Sequence, residues 1–415
     1  MPRRKNSNVR NYYKALIKNL TRKNGPLSRT TLRKLTGMRP ASITDVTKEL
    51  LREGIVRESG HESSKRGRRK VLLDINPDGG RAVTVDFNST RVLGLGADLK
   101  LGVCYKTRRA LPERPSKDDI IKALKGVLHE VVDSPGVQTA PILGIGIADP
   151  GIVDVRSGKA VFATQVKGWE NVPLREIMAD EFPYSFFIES DTRCRLVAEK
   201  SLGVARPYND ILMVELSTGI GAGVMSEGRL FRGSRGAAGE IGHMMMIENG
   251  PYCNCGSQGC LEALASSRAV VQRVSDAIRS GAASMLEEMS RGDLSRIDIH
   301  MVAQALEEGD KLSLRLVEET GRLIGEAISN AVNLYNPEVV VLTGELLAFG
   351  ENILVPIEGT VKRQALSYST SELSIEVAEV GDEGAAWGMA ALVLDQIFEV
   401  RGLHLQEEEP EERSA

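Results

Sequence analysis

The 415-residue chain has no apolar run near the length needed to cross a bilayer, so a membrane-spanning protein is excluded. No apolar segment follows the basic start MPRRKNSN, so a secretory signal is not expected. Cysteine is scarce, with five in all. Two of them, Cys104 and Cys194, stand alone, which rules out a disulfide scaffold and points to a cytoplasmic protein. What remains is an ordinary globular composition, 42% hydrophobic and 26% charged, in a chain long enough for two or three domains.

The net charge of −3 conceals a strong asymmetry. Residues 1–75 hold 20 basic and 6 acidic residues, a balance of +14, and the remainder carries −17. A small basic unit on a large acidic body is the charge pattern of a nucleic-acid-binding head on a sensor or enzyme. The head reads as three helices. Tyr12, Leu16 and Leu20 recur at helical spacing over 9–24, and Gly25-Pro26 ends that helix. Ser28 caps a short helix to Leu35, Gly37 makes the turn, and Pro40 opens a third helix. On this helix Ile43, Val46 and Leu50 share one face. Ala41, Ser42, Thr44 and Lys48, with Arg39 just before them, form the face expected to meet DNA in a helix-turn-helix. Two strands, 55–58 and 71–75, follow as a wing around the loop SGHESSKRGRRK. Arg68 and Arg69 in that loop are candidate phosphate or minor-groove contacts, although a solvated loop would have the same composition. The head is placed at 1–76, with the boundary at Asn76-Pro77-Asp78-Gly79-Gly80.

From Arg81 strands alternate with helices, which indicates an α/β body. It is read as two lobes, 81–205 with 384–400 and 206–383, together spanning 81–400, before an acidic tail at 406–415 expected to be disordered. Each lobe opens on a strand that carries an acid, Asp86 in one and Glu215 in the other. The second lobe contains the stretch EIGHMMMIENGPYCNCGSQGCLE, from Glu240 to Glu262. His243, Cys253, Cys255 and Cys260 form a Cys₃His set, and Gly256 and Gly259 allow the turns that bring the thiolates together. Four protein ligands close a tetrahedral shell, so structural zinc is expected. The metal would fix Glu240 and Glu262 near one another, and paired acids beside an imidazole suit a polyhydroxylated ligand.

EIGH, the CxCGxxGCLE cluster, STGIGAGV, IGIADPGIVD and NPEVVVLTG, behind a basic head, resemble the transcriptional regulators of the ROK family (repressor, open reading frame, kinase). The resemblance covers residues 8 to about 400. It implies a winged helix-turn-helix followed by an actin-like pair of α/β lobes with a sugar between them. It also implies zinc on His243, Cys253, Cys255 and Cys260, and sugar contacts from Glu240, His243 and Glu262. Where family kinases carry Asn-Asp, the aspartate being the base, this chain has Ser190-Asp191. Ser190 is expected to contact the sugar in place of the asparagine, and Asp191 to bind sugar, or to cap the helix that follows, or both. The expected function is a repressor, a homodimer or a dimer of dimers, that binds operator DNA and responds to a sugar or sugar phosphate. The alternative is an ATP-dependent sugar kinase with a DNA-binding head. Against the kinase, the family's Asp-x-Gly-Gly-Thr turn is here Asp86-Phe87-Asn88-Ser89-Thr90, without its glycines, and the adenine-side Gly-Gly is Thr343-Gly344.

Overall fold

The computed structural model describes residues 2–62, 69–164 and 166–399. Arg68 and the tail at 406–415 lie outside the described residues.

The first helix runs Pro2–Asn24, seven residues earlier than its apolar spacing indicates. Proline suits a first helical position, and the lysines and arginines after it are good helix formers without being amphipathic. A short helix, Arg29–Thr36, is capped by the Ser28 side chain, which accepts from Thr31 N at 3.2 Å, and ends on Gly37 in the left-handed region. The third helix is Pro40–Arg52, with Ile43, Val46, Thr47 and Leu50 buried. The wing strands Val56–His61 and Val71–Ile75 pair antiparallel, and Leu27–Ser28 pairs with the second of them.

Two five-stranded sheets follow, and they share one topology. In the first, Arg81–Phe87 pairs antiparallel with Arg91–Asp98, which pairs with Val103–Ala110. On its other side it pairs parallel with Ile142–Asp149 and, beyond that, Phe186–Ser190. In the second, Ile211–Leu216 pairs antiparallel with Ile220–Ser226, and that strand with Arg229–Phe231. Parallel to Ile211–Leu216 run Val339–Thr343 and then Ser374–Val377. Asp86 and Glu215 therefore stand at matching places, near the carboxyl end of the first strand of each sheet. The carboxyl ends of parallel strands are where α/β folds form ligand crevices.

The terminal helix Gly384–Phe398 is buried along most of its length. It packs on the helix Asp191–Leu202 so closely that a Cβ on Gly388 would lie 1.6 Å from the Cys194 carbonyl oxygen. One continuous core contains Ile17, Leu32, Leu50 and Leu73 of the head together with Leu99, Ala390 and Phe398 of the body. Arg22 pairs with Asp395, and Lys18 lies 5.5 Å from the centre of the Phe398 ring.

The structure departs from the sequence reading in the second lobe. The sequence after the metal loop predicts one helix from about Glu262 to Ile278, but there are two, Leu261–Ala265 and Ser267–Arg279, because Ser266 is extended and caps the second by accepting from Ala269 N. Helices Met285–Met289, Ile299–Glu307 and Glu351–Gln364 had no assignment. The last carries Pro356 in its interior and lies close against the helix Lys311–Tyr335 at Gly321.

Candidate functional site

Between the lobes lies a cleft of about 640 Å³, lined by both sheets' carboxyl ends and the loops after them. Ser190, Asp191, Glu240, His243 and Glu262 all line it, so the five residues named from the sequence as sugar contacts come together. Asp191 opens its helix behind Ser190, which holds the N-cap position without a side-chain cap bond. The Asp191 carboxylate accepts from Thr192 N at 2.7 Å, so it does bond the helix start, and it faces the cleft as well. Burial, reinforced by Glu215 nearby, raises its carboxyl well above the usual carboxylate range. Glu240 is also raised, chiefly by burial.

The metal-type cluster sits behind this wall. The ligand atoms of His243, Cys253, Cys255 and Cys260 lie within 4.8 Å of one another. Cys255 Sγ is 3.7 Å from Cys260 Sγ, and Cys253 Sγ is 3.7 Å from His243 Nδ1. A tetrahedral shell with zinc–sulfur bonds of ~2.3 Å sets its ligand atoms about 3.8 Å apart, so the spacing fits zinc. The donor chemistry fits too, because burial pushes the Cys253 and Cys260 thiols up, and thiolates there need a cation to stay ionised. Gly259 is required by the loop. Its φ is +68°, and a Cβ would stand 1.8 Å from the Ile247 carbonyl oxygen.

His243 joins cluster and cleft. Its Nδ1 faces the sulfurs, while Nε2 lies 3.9 Å from Glu240 Oε2. A metal on Nδ1 would fix the proton on Nε2, leaving a donor directed at the cleft. Glu262, almost fully buried, accepts from Ile220 N at 3.2 Å, which ties the metal loop to the glycine turn of the second lobe.

At the other end of the cleft, the turn 86–90 is closed on itself. Asn88 Oδ1 accepts from Thr90 N at 2.9 Å, from Arg91 N at 3.0 Å and from the Thr90 hydroxyl at 2.9 Å. Backbone N–H groups of a phosphate cradle must point at the phosphate, and here that of Thr90, with that of Arg91 just after the turn, points at a side chain. Asn88 is absent from the left-handed region, so it does not imitate the missing glycine.

Several charged residues of the cleft were missed. Arg91 Nη1 donates to Asp86 Oδ2 at 2.7 Å, and Arg195 Nε lies 3.4 Å from Glu215 Oε1. Arg193, which also lines the cleft, pairs at 2.7 Å with Glu189, a buried residue outside the lining that takes Arg232 at 2.6 Å as well. One signal was available in the sequence: Arg195 follows Asp191 by four and therefore shares its helix face.

On the head, Arg39, Ala41 and Lys48 are exposed and Ser42 and Thr44 half-buried, all on the outer part of the Pro40–Arg52 helix. Thr44 Oγ1 donates to the Pro40 carbonyl at 2.9 Å. Of the two acids of this helix, Asp45 is exposed, whereas Glu49 accepts from Arg10 Nε and Lys14 Nζ, each at 3.0 Å, which keeps the Glu49 charge off the outer face. Arg69 is exposed at the base of the wing beside Lys70, which pairs with Glu62 at 3.1 Å. No helix among the described residues is long and apolar enough to cross a membrane.

The family model described as ROK matches residues 84–396. The chain is similar to the DNA-binding transcriptional dual regulator NagC of Escherichia coli, at 30% identity over 385 residues and 93% of each chain. It is similar to a xylose repressor of Caldicellulosiruptor bescii, at 29% identity over 372 residues, 90% of this chain and 92% of that one. Among solved structures, a ROK family transcriptional regulator described as a homolog of the E. coli MLC protein superposes with a TM-score of 0.82 at 26% identity. That match covers 95% of this chain and 98% of the other, head included. By the match to its model and by these relatives, the chain belongs to the ROK family.

Proposed function

We propose that the protein is a sugar-responsive transcriptional repressor of carbohydrate uptake or catabolism genes. The observation that carries this reading is that one continuous core joins an exposed recognition helix to a polar cleft with ample room for a sugar. Ala41, Ser42, Thr44 and Lys48, with Arg39, meet base edges and nearby phosphates, and Arg69 with Arg68 meets the backbone. Ser190, Asp191, Glu240, His243 and Glu262 hold a sugar or sugar phosphate, carboxylates accepting from ring hydroxyls and His243 donating to one. One structural zinc per chain, on His243, Cys253, Cys255 and Cys260, would supply only rigidity, since no ligand position stays open. The chain acts as a homodimer in the cytoplasm, placing two heads on symmetric half-sites.

Kinase turnover is not part of this reading, because the Asn88-closed turn leaves half a phosphate cradle. The test is a thermal-shift screen of sugars and sugar phosphates, followed by operator binding with each hit. A sugar that stabilises the protein and changes its DNA affinity supports the repressor. ATP-dependent phosphorylation of that sugar faster than about 1 per second, lost in Asp191→Ala, would make it a kinase instead. DNA binding undiminished in a chain lacking residues 1–80 would remove the head's assignment.

A further inference from the structure

Asp86, Asp191 and Glu215 reach the inner part of the cleft from three elements. Three carboxylates around one half-buried space repel one another unless cations face them. In a phosphoryl-transfer cleft that charge is met by a nucleotide-bound metal ion. Here two guanidinium groups stand among the acids. Arg91 is committed to Asp86 on the neighbouring strand, and its Nη2 donates to the Asp382 carbonyl at 3.1 Å. Arg195 is placed differently. It lies one turn beyond Asp191 on the same helix, and its Nε is 3.4 Å from Glu215 Oε1 across the cleft. Its Nη1 reaches the carbonyl oxygens of Gly381 and Asp382, each at 3.3 Å, in the segment that returns from the second sheet to the terminal helix.

One side chain thus touches the first lobe's helix, the second lobe's first strand and the crossover between them. Nε makes no well-directed hydrogen bond although it is buried, so its contact with Glu215 is one of charge. The same acids are linked on the other side by Thr192, whose hydroxyl donates to Glu215 Oε2 at 2.8 Å and whose N–H donates to Asp191 Oδ1.

We propose that Arg195 is a positioning residue of the effector site, a fixed internal cation that pairs with Glu215, offsets part of the charge at Asp191 and ties the lobes together, so that sugar binds without nucleotide or divalent cation. The inference rests on the reading of the cleft as a sugar site.

The experiment measures sugar affinity of the full-length protein by calorimetry, using the sugar found by thermal shift. Wild-type affinity is expected to be the same with no magnesium, with magnesium, and with magnesium and ATP. In Arg195→Met the acids left facing one another are Asp86, Asp191, Glu215 and Asp382. Of the arginines that still line the cleft, Arg91 is committed to Asp86 and Arg193 to Glu189, and Arg108 stands on the outer strand of the first sheet. Affinity should fall about tenfold or more near pH 8. The deficit relative to wild type should shrink towards about pH 6, as Asp191, whose carboxyl burial already raises, takes up a proton. Arg195→Lys should retain most of the affinity. Arg195→Met with Glu215→Gln, which removes both charges, should recover much of the loss and keeps the test available if the single variant folds poorly. Undiminished affinity in Arg195→Met at about pH 8 overturns the inference, as does a loss that neither pH nor the double variant repairs. A wild-type protein that no sugar stabilises defeats the sugar reading itself, and this inference with it.

Discussion

Asp149 is fully buried at the carboxyl end of its strand, where Trp169 Nε1 donates to Oδ2 at 2.8 Å and Gly151 N donates to Oδ1 at 2.9 Å. Burial outweighs these two bonds and raises its carboxyl from 3.8 to about 7. A group with a raised folded value binds more protons folded than unfolded between those two values, so its contribution to stability declines as pH rises from about 4 to about 7 and is level above that. Asp149→Asn should therefore remove a decline of a few kcal/mol across that window, at the cost of one mismatched bond to Trp169. Urea unfolding at several pH values would show it, and parallel curves for variant and wild type would contradict the raised carboxyl. Nothing in the motif ADPG announces this role, because the partner indole lies 20 residues away and meets the aspartate only once the strands have formed.

The metal loop and the recognition helix illustrate what was legible from the sequence. Both are local: ligands and turn glycines lie within 18 residues, and the third helix carries Pro40 at its start and three apolar residues on one face. Elements whose stability is tertiary were harder to read, such as the Glu351–Gln364 helix, which keeps Pro356 in its interior and lies against Gly321 of a neighbour. The same contrast holds in the cleft. Residues inside a motif, such as Glu240 and His243, were found, while Arg91 and Arg193, which matter through partners on other elements, were not. If the metal loop is one rigid element, Cys255→Ser should reduce zinc from about one equivalent and weaken sugar binding through His243, with metal affinity down at least about tenfold. Operator binding without sugar should be unchanged, and metal analysis beside calorimetry decides it. On the recognition helix, Lys48→Ala should relax sequence preference at one operator position by about 1–3 kcal/mol. Arg69→Ala should weaken all sequences alike and lower the salt slope by about one unit. Selection of operators from a random pool separates the two, and equal effects would merge their roles.

At the scale of the molecule, the head shares its core with the body, so the chain should melt without a separate early transition for the head. Phe398, buried beneath Lys18 and Arg22 of the first helix, is the test position. Phe398→Ala should cost about 3–5 kcal/mol and lower the melting temperature of head and body together. Two resolved transitions in the wild type would mean that the head is only tethered. A docked head also has a consequence in distances. The first helix is held to the body near Arg22, by Asp395 and Phe398, and to the recognition helix near Arg10 and Lys14, through Glu49. Arg10 and Arg22 stand about 18 Å apart along a helix axis at 1.5 Å per residue. A tilt of about 10° where that helix meets the body would carry the recognition helix about 3 Å, close to the ~3.4 Å step between base pairs. A lobe movement too small to separate the two halves of the cleft would then be enough to take a well-seated helix out of register with its bases.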